Sequence, residues 1–266
     1  MHHAHYRSLW LSDIHLGNKD CKAEYLLHFL THVRVDTLYL VGDIVDMWEM
    51  SRQFRWPEAH NKVMHQLMQM SQQGTRVVYL PGNHDAPLQS YSGMAFGDIE
   101  IERELVHTTA QGKKYLVLHG DQFDAEVTLG KFHAWMGDKA YDLLLFLNRW
   151  FNRFRQWRKR EYWSLAGYIK RHIKGANEAI ARYRTACCDR ARDMQLDGVI
   201  CGHIHHPQSI MENGIHYVND GDWIENCSAL AEDTEGNLSL VYWLESLNSD
   251  SNISTITPKA SASKAA

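Results

Sequence analysis

Five short apolar runs in this chain each end in a tight cluster of polar residues. Ser8–Ser12 leads into Asp13-Ile14-His15, and Thr37–Val41 into Gly42-Asp43-Ile44-Val45-Asp46. Arg76–Leu80 leads into Pro81-Gly82-Asn83-His84-Asp85, Tyr115–Leu118 into His119-Gly120-Asp121, and Gly198–Cys201 into Gly202-His203-Ile204-His205. Runs this short, rich in β-formers and mostly followed by Gly or Pro, predict strands. Ile215–Val218 and Leu238–Trp243 read the same way. Lys22–Arg34 and Pro57–Gln73, lying between the early runs, carry apolar residues at helical spacing. Strands alternating with helices restrict the chain to an α/β fold with a mostly parallel sheet covered on both faces. Such sheets bind ligands at the carboxyl ends of their strands, where the polar clusters fall.

The residue types in those clusters point to metal. Asp13, His15, Asp43, Asn83, His119, His203 and His205 mix hard oxygen donors with imidazoles, a set that suits a pair of divalent transition-metal ions. A phosphodiester or pyrophosphate is anionic and repels a hydroxide nucleophile. Two cations about 3.5–4 Å apart can hold both and offset the charge of an in-line displacement. Taken singly, Asp13 or Asp43 could cap a turn, and Asn83 could be a turn residue in a left-handed conformation. Asp46 is expected to be a helix N-cap as well as an orienting carboxylate. His203 and His205 alternate across His-Ile-His, which on an extended segment directs both imidazoles the same way. His206 then points elsewhere.

Composition narrows the function classes. With 266 residues and 44% hydrophobic content the chain can bury a sizeable core. A net charge of −4 gives no general attraction for nucleic acid, and no nucleic-acid partner is expected. Five cysteines without a C-x-x-C pair fit free thiols in a reducing cytosol. No apolar h-region follows Met1–Arg7. No apolar run approaches the ~20 residues that span a bilayer, so membrane contact is expected to be peripheral.

The order D-x-H, G-D-x-x-D, G-N-H-D, H and G-H-x-H resembles the calcineurin-like metallophosphoesterases. The resemblance implies a four-layered α/β/β/α sandwich. It implies that Asp13, His15, Asp43 and His205 bind one metal and Asp43, Asn83, His119 and His203 the other, with Asp43 bridging. His84 would bind no metal and would act on the phosphoryl or leaving-group oxygen as the catalytic residue, oriented by Asp46. By the same resemblance Mn²⁺ is the expected metal, with Fe or Zn²⁺ as alternatives.

A narrower likeness, over roughly residues 5–245, is to the UDP-2,3-diacylglucosamine pyrophosphatase branch of lipid A biosynthesis. It rests on His119-Gly120-Asp121-Gln122-Phe123-Asp124, on the helical insertion that follows, and on Asn219-Asp220-Gly221-Asp222-Trp223-Ile224-Glu225-Asn226. It implies cleavage of that nucleotide-linked glycolipid to UMP and the lipid monophosphate on the cytoplasmic face of the inner membrane. Established members carry Arg where this chain has His84. A phosphodiesterase acting on a soluble nucleotide or another pyrophosphate is the alternative, as is a peripheral membrane-binding protein with secondary hydrolase activity. Asp121, Asp124, Asp222 and Glu225 match only the narrower family, either as carboxylates that orient ligating histidines or as plain loop residues.

The expected organisation is a metallophosphoesterase domain over 1–124 and 193–245, a helical lid over 125–192 and a disordered tail over 246–266. Within the lid, Met136, Leu143, Leu147, Trp150, Phe154 and Trp157 recur along one helical face. From Asn148 to Lys174 nine cations face one acid, Glu161. A basic, aromatic, amphipathic segment predicts contact with an anionic membrane surface. Packing onto the catalytic domain or onto a second copy of the chain are the other options. Lys170, Arg171, Lys174 and Asn177, together with Asn83, are candidate contacts to the substrate.

Overall fold

The computed structural model describes residues 4–124, 158 and 174–244. The strands are β1 (Ala4–Leu11), β2 (Val33–Val41), β3 (Arg76–Leu80), β4 (Ala95–Phe96), β5 (Ile99–Ile101) and β6 (Glu104–Thr108). They continue with β7 (Lys114–Leu118), β8 (Gly198–Cys201), β9 (Gln208–Glu212), β10 (Ile215–Asn219), β11 (Ser228–Glu232) and β12 (Leu238–Tyr242). The helices are α1 (Ala23–His32), α2 (Met47–Arg52), α3 (Glu58–Gln72) and α4 (Lys174–Asp193).

These strands form two sheets. A seven-stranded sheet runs β12-β11-β1-β2-β3-β5-β4, and a five-stranded sheet runs β6-β7-β8-β10-β9. The expected parallel pairing holds at the centre, where β1, β2, β3 and β5 are parallel, as are β7, β8 and β10. The flanks depart from it: β11, β12 and β4 add antiparallel to the first sheet, and β6 and β9 to the second. Antiparallel neighbours need only short connections, and the short, partly polar edge strands carry little sequence signal.

Side-chain alternation along the strands shows why the layers number four. Successive residues of a strand face opposite sides of the sheet. Leu9, Leu11, Leu38, Leu40, Val77 and Tyr79 join the cluster that holds Leu26, Phe29 and Leu30 of α1 and Val63 and Leu67 of α3. Their neighbours Trp10, Tyr39, Val41, Val78 and Leu80 turn the other way and meet Tyr115, Val117, Ile200 and Val218 of the second sheet. Leu116, Leu118, Val199, Cys201 and Tyr217 then face Tyr183, Cys187 and Ala191 of α4. The order is therefore helices, sheet, sheet, helix.

The segment expected to form the lid is divided by this packing. Residues 174–192 lie in α4, whose buried face closes the second sheet. Residues 125–157 and 159–173, which contain the aromatic face, Lys170 and Arg171, lie outside the described residues, as does the tail beyond 244. No described helix is long and apolar enough to cross a membrane. Cys187, Cys188, Cys201 and Cys227 are buried free thiols, and Cys201 is a core residue as expected from its strand.

Candidate metal centre

All seven expected ligands follow the C-terminal ends of central strands, on both sheets. Asp13 and His15 follow β1, Asp43 follows β2 and Asn83 follows β3, while His119 follows β7 and His203 and His205 follow β8. The first two loops extend the sheet beyond its strands. The Asp13 N–H donates to the Gly42 carbonyl at 3.0 Å, His15 to Asp43 at 2.8 Å and Leu16 to Ile44 at 2.9 Å.

Five of these seven residues have positive φ: Asp13 (50°), His15 (53°), Asp43 (54°), His203 (71°) and His205 (51°). Left-handed backbone is uncommon for residues with a Cβ and gathers at functional sites. This corrects the extended reading of His-Ile-His. A left-handed residue at each histidine turns the chain, so His203 and His205 reach the centre by successive turns and not by strand alternation. They separate there, each joining a different cluster.

Among the described residues, three groups of donors lie close enough to hold an ion, and two of them consist of expected ligands. Asp13, His15 and His205 form one and Asp43, His119 and His203 the other, with the donor atoms of each group within 4.8 Å of one another. Asp43 stands between them, its Oδ2 3.9 Å from His15 Nε2 and 3.4 Å from His119 Nε2. Asn83 Oδ1 lies 3.3 Å from the same His119 Nε2. Two of the histidines are set by their far nitrogens. His119 Nδ1 meets the Val41 carbonyl at 3.0 Å and His15 Nδ1 meets Asp46 Oδ2 at 3.1 Å, which turns each Nε2 inward. His203 instead carries Asp124 Oδ1 on Nε2 at 2.6 Å. A carboxylate orienting a ligating histidine is one of the two options read for Asp124.

The donors fit a pair of divalent ions. Asp13 Oδ1, His15 Nε2 and His205 Nδ1 are buried without a hydrogen-bond partner. His205 Nε2 is only 3.2 Å from Asp13 Oδ1. Buried polar atoms that face one another unbonded are costly unless something else satisfies them. The charges agree. Burial opposes ionisation of Asp13 and Asp43, yet the surrounding histidines hold both below the usual carboxylate range. Burial likewise opposes a charge on His15, but Asp46, Asp43 and Asp13 outweigh it and raise its pKa to about 9.

Glycine is required beside these ligands. A Cβ on Gly42, whose φ is +78°, or on Gly82 would overlap the His119 ring. Only a bare backbone lets the β2 and β3 loops close on the histidine of the other sheet.

Asp46 and His84 lie beside these two groups and, with His15, make up the third. Asp46 caps α2, its Oδ1 accepting the Glu49 N–H at 2.9 Å, and the same oxygen meets His84 Nδ1 at 2.8 Å. The two expected roles of Asp46, cap and orienting carboxylate, thus fall on one side chain. The His84 ring stands edge-on to His15 at 4.6 Å and to Trp48 at 5.4 Å, and keeps its Nε2 out of the Asp46 bond.

Of the other expected substrate contacts, Asn177 is exposed in the first turn of α4, and Lys174 begins that helix.

Two supports escaped the sequence reading. Asp85 is fully buried and accepts backbone N–H groups from Ile44 at 2.9 Å and Gly82 at 2.5 Å, and also the Tyr79 hydroxyl. It binds the Asp43 loop to the Asn83 loop. Burial, followed by the nearby Asp43 charge, pushes its pKa up. The second is Asp220. The Ser12 hydroxyl lies 2.5 Å from Asp13 Oδ2 and 2.7 Å from Asp220 Oδ1. Burial raises the Asp220 pKa well above the usual range. One hydroxyl donates once, so a protonated Asp220 donating to Ser12, which donates to Asp13, satisfies the chain. Both residues sit in the quoted motifs, but only three-dimensional contact reveals what they hold. Asp222 caps the next turn and carries Asn226, whose amide reaches the His205 carbonyl at 3.3 Å.

The calcineurin-like phosphoesterase family matches residues 6–207, and the chain belongs to that family. Two curated relatives are named UDP-2,3-diacylglucosamine hydrolase. That of Blochmanniella pennsylvanica is 29% identical over 116 residues, 42% of this chain and 46% of the relative. That of Photorhabdus laumondii is 31% identical over 117 residues, 43% of this chain and 48% of the relative. The chain therefore spans about half the length of the curated relatives it matches. Among solved structures, a phosphoesterase from E. coli is 14% identical, covers 88% of this chain and 98% of its own, and gives a TM-score of 0.43. At a score this low the likeness adds nothing to the strand order itself.

Proposed function

We propose that this protein hydrolyses a pyrophosphate or phosphodiester bond at a pair of divalent metal ions. The reading extends to UDP-2,3-diacylglucosamine as the substrate, cleaved to UMP and 2,3-diacylglucosamine 1-phosphate. One observation carries the dinuclear reading: the Asp43 carboxylate of one donor group also lies 3.9 Å from His15 of the other, and buried donor atoms among them lack partners. Asp13, His15, Asp43 and His205 would hold one ion, and Asp43, Asn83, His119 and His203 the other. Mn²⁺ is the proposed metal, with Fe or Zn²⁺ as alternatives.

The bound pair supplies Lewis acidity toward the phosphoryl oxygens and makes a water nucleophile accessible near neutral pH. The side chains do the rest. His84, fixed through Nδ1 by Asp46, presents Nε2 to the substrate; when protonated, both its nitrogens donate. From there it stabilises charge on the phosphoryl oxygen or gives its proton to the leaving oxygen. In balance, water adds its oxygen to the uridylyl phosphorus, the bond to the bridging oxygen breaks, and the sugar 1-phosphate departs.

The lipid substrate is supported by the matched relatives and by the aromatic face of the insertion, which would hold acyl chains. The basic stretch Asn148–Lys174 would lie on the anionic cytoplasmic face of the inner membrane, and a dimer through the insertion is a further option. His84 at the position of Arg favours a second reading, a soluble nucleotide diester. The deciding experiment is hydrolysis by Mn²⁺-loaded protein of UDP-2,3-diacylglucosamine beside UDP-N-acetylglucosamine and bis-p-nitrophenyl phosphate. Preference for the diacylated nucleotide with release of UMP is expected. Activity on the generic diester alone would discard the lipid and keep the metal chemistry. No activity on any of the three would discard both.

A further inference from the structure

A row of side chains leads outward from the metal centre. The His84 ring lies 4.6 Å from that of His15, and the Trp48 ring lies 5.4 Å from that of His84. The Arg52 guanidinium follows, 4.3 Å from the centre of the Trp48 ring. Helix α2 sets this row. Asp46, the carboxylate that holds His84, also caps α2. Trp48 and Arg52 stand four residues apart on that helix and so share one face. The cap therefore fixes the Trp48–Arg52 face relative to His84.

Arg52 has an uncommitted charge. It is exposed, and among the described residues no carboxylate pairs with it, Glu49 of the same helix included. Its recorded partner is the Trp48 ring, itself 52% exposed. A cation over an indole face is attracted by the ring quadrupole. A side chain restrained in this way loses less freedom when it meets a ligand.

We propose that Arg52 is the contact for the second phosphate of a pyrophosphate substrate, the one that departs, and that Trp48 holds it in place. This role rests on the pyrophosphatase reading and adds a binding residue to it.

The chemistry of the two substrate classes separates here. The metal ligands and His84 serve the phosphoryl group under attack and its leaving oxygen. In a pyrophosphate that oxygen carries another phosphate, which departs with the charge of the broken bond. In a simple diester it carries carbon. A cation one ring beyond His84 has an anionic partner in the first case and none in the second. A guanidinium also suits the place. It bonds phosphate oxygens in pairs, and it is weakly hydrated and stacks on aromatic faces.

The test is calorimetric binding of UDP and of UMP to the Mn²⁺-loaded full chain and to its Arg52→Ala and Arg52→Lys variants. The two nucleotides differ only in the second phosphate. No residue of α2 within Met47–Arg52 is buried, so Arg52→Ala empties no core. The unaltered chain is expected to bind UDP more tightly than UMP. Arg52→Ala should lower that preference about tenfold, the effect of one lost hydrogen bond to a charged group. Arg52→Lys keeps the charge without the planar fork and should regain part of the preference. A merely structural role would weaken both nucleotides alike, and that result overturns the assignment. So does a parent chain that does not prefer UDP, a preference that survives Arg52→Ala, or a lysine variant no better than alanine. Hydrolysis of bis-p-nitrophenyl phosphate by the same preparations reads the enzyme separately. A preference lost as expected, in a protein that cleaves nothing, upholds Arg52 as a diphosphate contact and overturns the hydrolase reading.

Discussion

Asp46 Oδ1 holds His84 Nδ1 at 2.8 Å while its other oxygen holds His15 Nδ1 at 3.1 Å. One carboxylate thus sets a histidine assigned to metal and a histidine assigned to the substrate. Burial opposes its ionisation, but bonds to His15 and His84 hold its pKa far below the usual range.

If the division of roles is right, His84→Ala keeps its metal and loses most turnover. The expected loss is roughly 10²–10⁴-fold, the range for a general acid or base. Elemental analysis beside hydrolysis of bis-p-nitrophenyl phosphate measures both. A metal content as low as that of Asp43→Ala would show that His84 holds metal after all.

Asp85→Ala removes the acceptor shared by Ile44, Gly82 and Tyr79. Buried donors left unpaired cost about 1–3 kcal/mol each, so a loss of at least about 3 kcal/mol is expected. Urea unfolding with an unchanged slope reads this directly. A midpoint within error of the parent would mean that the two loops hold together without the clamp.

Asp220 separates charge from hydrogen bonding. With Asp220 protonated, Asp220→Asn keeps a donor toward Ser12 and should retain the metal and the melting temperature. Asp220→Ala should lower both. Equal damage from the two substitutions would indicate that Asp220 acts as an ionised carboxylate.

At the opposite end of the sheets, Glu232 meets Arg7 Nη1 at 2.7 Å and His107 Nε2 at 2.9 Å. Burial disfavours its charge, but His107, the Ala110 N–H and Arg7 lower its pKa from 4.5 to about 2. A depressed folded-state pKa gives stability that is present above the unfolded value and is lost as pH falls through the folded one. The window therefore runs from 4.5 down to about 2. The pKa values of Asp13, Asp43 and Asp46 are lowered as well and add acid sensitivity of their own, so the comparison must be with Glu232→Gln. The variant should lose less stability than the parent across that window, by up to roughly 3 kcal/mol. Parallel curves for the two proteins would remove Glu232 as a source of acid sensitivity.

The legible part of the structure follows from strong local patterns. Strands β1, β2, β3, β7, β8, β10 and β12 came from short runs rich in β-formers, and helices α1 and α3 from apolar residues that recur at helical spacing along one buried face. β4, β5, β6 and β9 escaped because they are short and largely exposed or half-buried, so they carry no clear apolar run. β11 escaped for the opposite reason: Ser228-Ala229-Leu230-Ala231-Glu232 is buried throughout, yet its small and polar residues look like a loop. The site residues were visible as motifs, because ligands must be His, Asp or Asn whatever the backbone does. Their left-handed conformations were not, since Asp and His occur in many backbones and the turns are imposed by cross-sheet contacts. The roles of Asp85 and Asp220 were invisible for a related reason: Asp85 reaches Ile44 and Asp220 reaches Ser12, both distant in sequence.

The hydrogen-bonded continuation of β1 and β2 into the Asp13 and Asp43 loops has an evolutionary implication. The frame of the centre is drawn from main-chain geometry, glycines and buried carboxylates. Side chains such as Trp48, Arg103 and Gln122 stand outside that frame on exposed positions. Exchange at those positions leaves the frame intact, so a lineage built on this scaffold can change what it cleaves without rebuilding how it cleaves.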